Sequence, residues 1–385
     1  MTAFPENLLA KIQKRKQENA LRVLTCDDFV VDFSSNDYLG FSRSPMVKQE
    51  LKAKLDKQPY LSSGSTGSRL LTGNHELHEN LENFLSDYHN VESALIFNSG
   101  YDANLGFFSA VPQRGDIVIY DAFAHASIRD GIQLSNAKSY KFKHNDLEDL
   151  KNVLQTHKTH QGNLYVVTES VFSMDGDSPD LELLVEITES FGAYLIADEA
   201  HAIGVFGEKG EGLLQSMNLH HRVFARIITF GKALGCHGAA VLGSKLLKVY
   251  LYNFARSFMY TTALPPHSIL VIKTLYGLMN QNSQDAYYGQ QRLQLLHNIE
   301  FFKSELKTLG LDNSNYVPSD SAIQCLIVPG NENVKNLANN IKRKGFDVRP
   351  ILSPTVPKDY ERIRFCLHSF NTFDQISVVL HHLKQ

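Results

Sequence analysis

Six short apolar runs punctuate residues 93–244. They are SALIFN (93–98), DIVIYD (116–121), NLYVVTES (163–170), AYLIADEA (193–200), RIITFG (226–231) and AAVLGS (239–244), and helix-patterned stretches separate them. Each run reads as a strand, and several are apolar on both faces, which marks strands sandwiched between two helix layers. Strands alternating with helices predict an α/β unit around a mostly parallel sheet. In such sheets ligands bind beyond the carboxyl ends of the strands. Leu8, Leu9, Ile12, Ala20, Leu21 and Val23 recur at helical spacing and predict an amphipathic arm over 7–25. DFSSNDYLGF then reads as an extended segment and a turn, and Gly64 to Asn74 as a glycine- and hydroxyl-rich loop. Beyond YTTALPP (260–266) the pattern changes to a long helical stretch over 268–308. Strands at AIQCLIV and RIRFCLH and two more helices follow. We read an arm over 1–45, a large α/β domain over 46–267 and a small α+β domain over 268–385.

Composition narrows the function classes. The 385 residues are 43% hydrophobic, enough for a substantial core, and the formal net charge is -3. No block of like charge suggests a nucleic-acid partner. No run of eighteen apolar residues suggests a membrane span. The first residues carry no apolar signal core, so a cytoplasmic location is expected. Cys26, Cys236, Cys325 and Cys366 lie far apart without a Cys-x-x-Cys pair, which argues for buried free thiols and no zinc site.

Candidate chemistry gathers at the predicted strand ends. The 93–98 run leads into Asn98-Ser99-Gly100-Tyr101, a turn whose backbone N–H groups could meet an anion at a helix N-terminus. The 116–121 run leads to His125, and the 163–170 run to Glu169-Ser170-Val171-Phe172-Ser173. The 193–200 run carries Asp198, then Glu199, Ala200 and His201. A strand-end carboxylate is costly to bury without a positive partner. A metal site is one reading of these residues. DEAH is also a helicase signature, but no Walker loop exists here. The 226–231 run carries Thr229 and precedes Lys232, which lies one strand–helix–strand unit beyond Asp198. A strand-end Asp followed by a loop Lys suits pyridoxal 5′-phosphate (PLP): the amine bonds the coenzyme aldehyde and the carboxylate keeps the pyridine nitrogen charged. At about 3 Å and an effective dielectric near 20, such an ion pair gains roughly 5 kcal/mol before desolvation.

Longer motifs carry a resemblance. NDYLG (36–40), GSTGSRLLTGNHELHENLE (64–82), NSGYDAN (98–104), HASIRDG (125–131), ESVFSMDGD (169–177), DEAHAIGVFG (198–207), TFGKALG (229–235), YTTALPP and RPILSPTVP with RIRFCLH (349–368) span nearly the whole chain. In that order and spacing the chain resembles the α-oxoamine synthases, PLP enzymes of the aspartate-aminotransferase fold type (fold type I). The resemblance implies a Schiff base on Lys232, Asp198 against the pyridinium, His201 at the ring oxygen and His125 on the ring face. It implies phosphate contacts from Gly100, Tyr101 and Thr229, a cofactor contact from Ser173, and Thr262 reaching the phosphate of a neighbouring subunit in a homodimer with shared active sites. Arg364 would clamp the amino-acid carboxylate, and Arg22, Asn36 and Thr355 match substrate-side positions.

Within the family the compact length and the GSxGSRL pattern of the loop from Gly64 to Leu70 point to the biotin-pathway branch. Its members condense L-alanine with a pimeloyl thioester, on CoA or an acyl carrier protein, and release CO2 and the thiol. Relatives acting on other substrates include glycine C-acetyltransferase, 5-aminolevulinate synthase and serine palmitoyltransferase. GSTGS in place of GSGGS, His368 after the RIRFCL strand, and Cys236-His237 beside the lysine loop are departures that bear on acyl-chain choice. A catalytically silent subunit is disfavoured because Lys232, Asp198, His125 and His201 are all present. The adjacent histidines 220–221 and 381–382 read as solvated surface.

Overall fold

The computed structural model describes residues 4–24, 31–58, 61–281, 285–312 and 315–384. Its chain divides into two compact units, one of Asn36–Ser173 and Ser178–Leu293, the other of Met1–Ser35, Met174–Asp177 and Gln294–Gln385. Cys26 lies outside the described residues, whereas Cys236, Cys325 and Cys366 are free thiols.

The larger unit is built on a seven-stranded sheet. Its strands are β1 (Ser93–Phe97), β2 (Ile117–Asp121), β3 (Lys138–Phe142), β4 (Leu164–Glu169), β5 (Tyr194–Asp198), β6 (Ala225–Thr229) and β7 (Ala239–Gly243), in spatial order β1-β7-β6-β5-β4-β2-β3. β2, β3, β4, β5 and β6 pair in parallel, and β7 runs antiparallel to both β1 and β6. Alternation along the strands fills both faces. Val118, Val167, Ile196, Ile227 and Val241 enter one core with Phe107 and Phe108 of the helix Gly100–Ala110 and Ile128 of the helix Ala126–Leu134. Ile117, Ile119, Val166, Leu195 and Ala197 enter the other, with Leu150 and Leu154 of the helix Leu147–Thr156 and Leu184 of the helix Leu181–Ser190. Burial on both faces is why these strands read as unbroken apolar runs. β3 was not predicted: it is the edge strand KSYKF, exposed at every position but Phe142.

Helix starts are set by side-chain caps. Ser99 accepts from the Asp102 N–H at the head of Gly100–Ala110, and the His125 ring accepts from the Ser127 N–H at the head of Ala126–Leu134. Both caps sit where strands deliver the chain to the same end of the sheet.

The smaller unit holds a four-stranded antiparallel sheet, in order Arg349–Ile351, Arg362–Cys366, Ile323–Ile327 and Tyr316–Val317, and a short parallel pair between Val31–Asp32 and Phe346–Asp347. The helices Asn331–Arg343 and Phe373–His381 also belong to it. The amino-terminal arm forms a helix over Glu6–Gln17 with no buried residue. His368 is fully buried there and is placed against Ser35 and Asn371, which gives this departure from the family pattern a structural role. His220, expected on the surface, is 7% exposed and contacts the Asn90 amide at 3.1 Å. Among the described residues no helix is long and apolar enough to cross a membrane.

Candidate active site

The carboxyl ends of β4, β5 and β6 open onto one cavity of about 240 Å³. Asp198, the last residue of β5, and Lys232, three residues past β6, both line it. So do Asn36, Gly100, Tyr101, His125, His201 and Thr229. Eight of the thirteen residues singled out from the sequence therefore share one cavity. Ser173 and Thr262 are not in its lining; Ser173 is half-buried and Thr262 exposed, its carbonyl accepting from the Asn98 amide at 2.7 Å. Arg22, Thr355 and Arg364 lie in the smaller unit, where Arg22 Nη2 donates to Thr355 Oγ1 at 3.5 Å and Arg364 sits 7% exposed on the strand Arg362–Cys366.

One end of the cavity is shaped for an anion. Gly100 begins a helix there, and a Cβ on it would come within 2.5 Å of Thr229 Cγ2, so only glycine leaves the N-terminus open. Thr229 is 7% exposed, and its hydroxyl is buried without a hydrogen-bond partner. A buried orphan hydroxyl beside an open helix N-terminus is satisfied by an oxyanion. The lysine loop that follows Thr229 is held by its own backbone bonds. Phe230 N–H donates to the Gly238 carbonyl, Cys236 N–H to the Phe230 carbonyl, and Gly235 takes φ 61° where a Cβ would strike Ser42 N at 2.7 Å.

The other end is acidic. Asp198 is 5% exposed, and its oxygens accept from Asn104 Nδ2 at 2.8 Å and the Ala200 N–H at 2.9 Å. Glu169, in register with Asp198 on β4, is 3% exposed and accepts the His125 N–H at 2.7 Å. Burial and the neighbouring Asp198 charge hold the Glu169 carboxyl well above the ordinary carboxylate range, against the pull of Lys232. Burial also lowers the His125 imidazole, so the ring is neutral at pH 7. Tyr38 fixes His201, its hydroxyl lying 2.8 Å from Nδ1 and donating to Asn36 Oδ1 at 3.1 Å. Asn104, Ser127, Glu169 and Tyr38 had not been picked as site residues. All lie inside the quoted motifs; Glu169 stands at the end of the 163–170 run, whereas the other three, within helices and turns, carry no signal of their own in the sequence.

An amine, an anion cradle and a buried carboxylate around one cavity match the functional groups of PLP, namely an aldehyde, a phosphate and a basic ring nitrogen. Comparison with known proteins agrees. The family model for aminotransferase class I and II matches residues 29–383. The 8-amino-7-oxononanoate synthase of Emericella nidulans is 39% identical over 97% of this chain and 94% of that protein. A putative 8-amino-7-oxononanoate synthase of Bacillus cereus is 37% identical over 92% and 87%. Among solved structures, a serine palmitoyltransferase of S. paucimobilis with bound PLP–myriocin aldimine superposes with a TM-score of 0.87 at 26% identity, covering 98% of this chain and 96% of that one. The 8-amino-7-oxononanoate synthase of Francisella tularensis superposes with a TM-score of 0.76 at 30% identity, covering 93% and 97%. The chain belongs to the aminotransferase class I and II family and, within it, to the α-oxoamine synthases of PLP fold type I.

Proposed function

We propose that this protein catalyses the decarboxylative condensation of L-alanine with a pimeloyl thioester, giving 8-amino-7-oxononanoate, CO2 and the free thiol carrier, as a step of biotin synthesis. The observation that carries the reading is the pairing of Lys232 and Asp198 in one cavity, in a chain 39% identical to an 8-amino-7-oxononanoate synthase. When bound, PLP supplies an electron-withdrawing ring that stabilises negative charge on the amino-acid Cα.

The residues divide that work. Lys232 would hold the coenzyme through Nζ, and its amine is the base that would take the Cα proton and return one. Asp198, fixed by the Asn104 amide and the Ala200 N–H, keeps the ring nitrogen protonated. Gly100, Tyr101 and Thr229 receive the phosphate, with Ser173 a further contact. His125 packs its neutral ring on the coenzyme face, and His201 donates to the ring oxygen. Arg364 takes the alanine carboxylate as a bidentate partner, and Arg22, Asn36 and Thr355 line the substrate side. The acyl donor is a CoA or acyl-carrier-protein thioester, and the working form is a cytoplasmic homodimer in which Thr262 serves the neighbouring site. The exposure of Thr262 on its own protomer supports that last role.

The test is borohydride trapping of the bound coenzyme, followed by product mass determination with a panel of amino acids and acyl thioesters. Trapping at Lys232 that disappears in Lys232→Ala, with 8-amino-7-oxononanoate as product, is the expected result. Undiminished trapping in that variant would remove Lys232 from its role. A product built on serine with a long-chain thioester would instead place the chain with the serine palmitoyltransferases.

A further inference from the structure

A directed chain of hydrogen bonds links the Asp198 carboxylate to the His125 ring, and it runs through Asn104, which already holds Asp198, and through Ser127, which has no role above. Asn104 lies in the interior of the helix Gly100–Ala110 and is 2% exposed; Ser127 lies in the first turn of Ala126–Leu134 and is fully buried. Both line the cavity. Asn104 Nδ2 donates to Asp198 Oδ2 at 2.8 Å and to Ser127 Oγ at 3.0 Å. Ser127 Oγ is 2.7 Å from His125 Nδ1, and the Ser127 N–H donates to the same nitrogen at 3.2 Å.

The proton positions follow from chemistry. A carboxylate only accepts, so the Asn104 amide must turn its NH2 toward Asp198; a flipped amide would set oxygen against oxygen. The same NH2 donates to Ser127, so the serine proton is free to go to His125. Backbone N–H can only donate, so His125 Nδ1 is an acceptor twice over and the ring proton sits on Nε2. The charge of Asp198 thereby sets the amide and the amide sets the hydroxyl, which joins the Ser127 N–H in fixing the histidine tautomer. Asn104 and His125 belong to different helices, so the chain also ties the helix that opens on the anion cradle to the one that carries His125.

We propose that Asn104 and Ser127 are positioning residues that lock the Asp198 carboxylate and the His125 tautomer as one unit, coupling the acidic edge of the site to its aromatic face. The proposal rests on the coenzyme reading of Lys232 and Asp198.

The test uses holoenzyme carrying Ser127→Ala, Asn104→Ala and the double substitution, with imidazole 15N shifts and steady-state kinetics as readouts. In the parent, His125 is expected as the Nε2–H tautomer. In each single variant kcat is expected to fall about tenfold or more with KM little changed. The double variant is expected to fall no further than the worse single, because the residues act in series. An Nδ1–H tautomer in the parent overturns the proposal, as do single variants of normal kcat or strictly multiplicative losses. If Asn104→Ala does not fold, Ser127→Ala and the parent tautomer decide the question alone. Borohydride trapping is run on every sample. Trapping present with kinetics unmoved defeats the relay, and trapping absent from the parent defeats the coenzyme reading beneath it.

Discussion

Asp198 and Glu199 are consecutive residues at one strand end, both buried, yet they meet opposite surroundings. Glu199 is fully buried and saturated: Arg226 Nε donates to Oε2 at 2.5 Å and the Leu214 N–H to Oε1 at 3.0 Å. Arg226 is itself 1% exposed and completes its valence on the Glu211 carbonyl and Gln215. Asp198 lines the cavity and takes its bonds from an amide and a backbone N–H, both neutral donors. The contrast recurs elsewhere in the larger unit. Glu82, 2% exposed, accepts from Arg69, Lys248 and the Ile96 N–H, whereas Glu169 in the cavity accepts the His125 N–H. Burial pushes both glutamates up, but Arg69 and Lys248 reverse it and hold Glu82 below the ordinary range, while the Asp198 charge adds to it at Glu169. A buried acid neutralised inside the fold serves stability. A buried acid held by neutral donors at a cavity keeps charge or proton available for something that binds.

The sharpest way to break this comparison is to exchange the consequences of 198 and 199. Glu199→Gln leaves the Arg226 guanidinium buried without its counter-ion, a loss expected to be about 3–5 kcal/mol in denaturant unfolding. Asp198→Asn changes a group whose hydrogen bonds come from an amide and a backbone N–H. Its expected signature is near-parental unfolding with turnover reduced about 10²–10³-fold, the usual scale for deleting one preorganised electrostatic group. A variant at 198 that unfolds, or one at 199 that stays stable, would falsify the division.

Glu169 allows a finer test on the apoprotein. Its carboxyl keeps its proton in the fold at pH values above 4.5, where the same group in the unfolded chain ionises. The folded state therefore binds more protons there, and stability must fall as pH rises from about 4.5 toward the folded pKa. Each pH unit in that window is worth up to about 1.4 kcal/mol. Glu169→Gln should match the parent near pH 4 and gain on it steadily toward neutrality. Parallel stability–pH curves would show that Glu169 is not held neutral.

The comparison also marks what was legible in the sequence. Strands buried on both faces announce themselves as apolar runs, and six of the seven in the larger sheet were readable on that ground. β3 was not, because an edge strand with four exposed positions needs no apolar pattern. Lys232 and Asp198 were legible because strand ends in α/β sheets are where ligands bind. Arg226 sits inside the RIITFG run, and nothing local distinguishes a solvated arginine from one buried against Glu199. Asn104 is an ordinary polar residue of a helix until the fold brings it to Asp198, ninety-four positions along the chain. Asp198 shares its cavity with Lys232 and takes its hydrogen bonds from neutral donors, which no sequence pattern spells out.

The smallest expected effect tests the saturated side. Lys248 reaches Glu82 from a position 28% exposed, while Arg69 reaches it from one 11% exposed. Solvent screens the lysine more, so Lys248→Met, which keeps the aliphatic stem, should cost only about 1 kcal/mol at pH 7, with Arg69 still holding the carboxylate. Glu82 is ionised in the fold below its unfolded value, so its stabilisation is present above about pH 4.5 and is lost as pH falls through the depressed pKa. The gap between parent and Lys248→Met should therefore close in acid, as the Glu169→Gln gap does, but toward neutrality it opens as a loss where the Glu169→Gln gap opens as a gain. Unfolding curves of the two variants, followed from pH 7 downward past pH 4 until the Lys248→Met gap closes, decide it. If both shift with the same sign on going to pH 7, the two buried glutamates are not in different states and the distinction between the saturated and the open side fails.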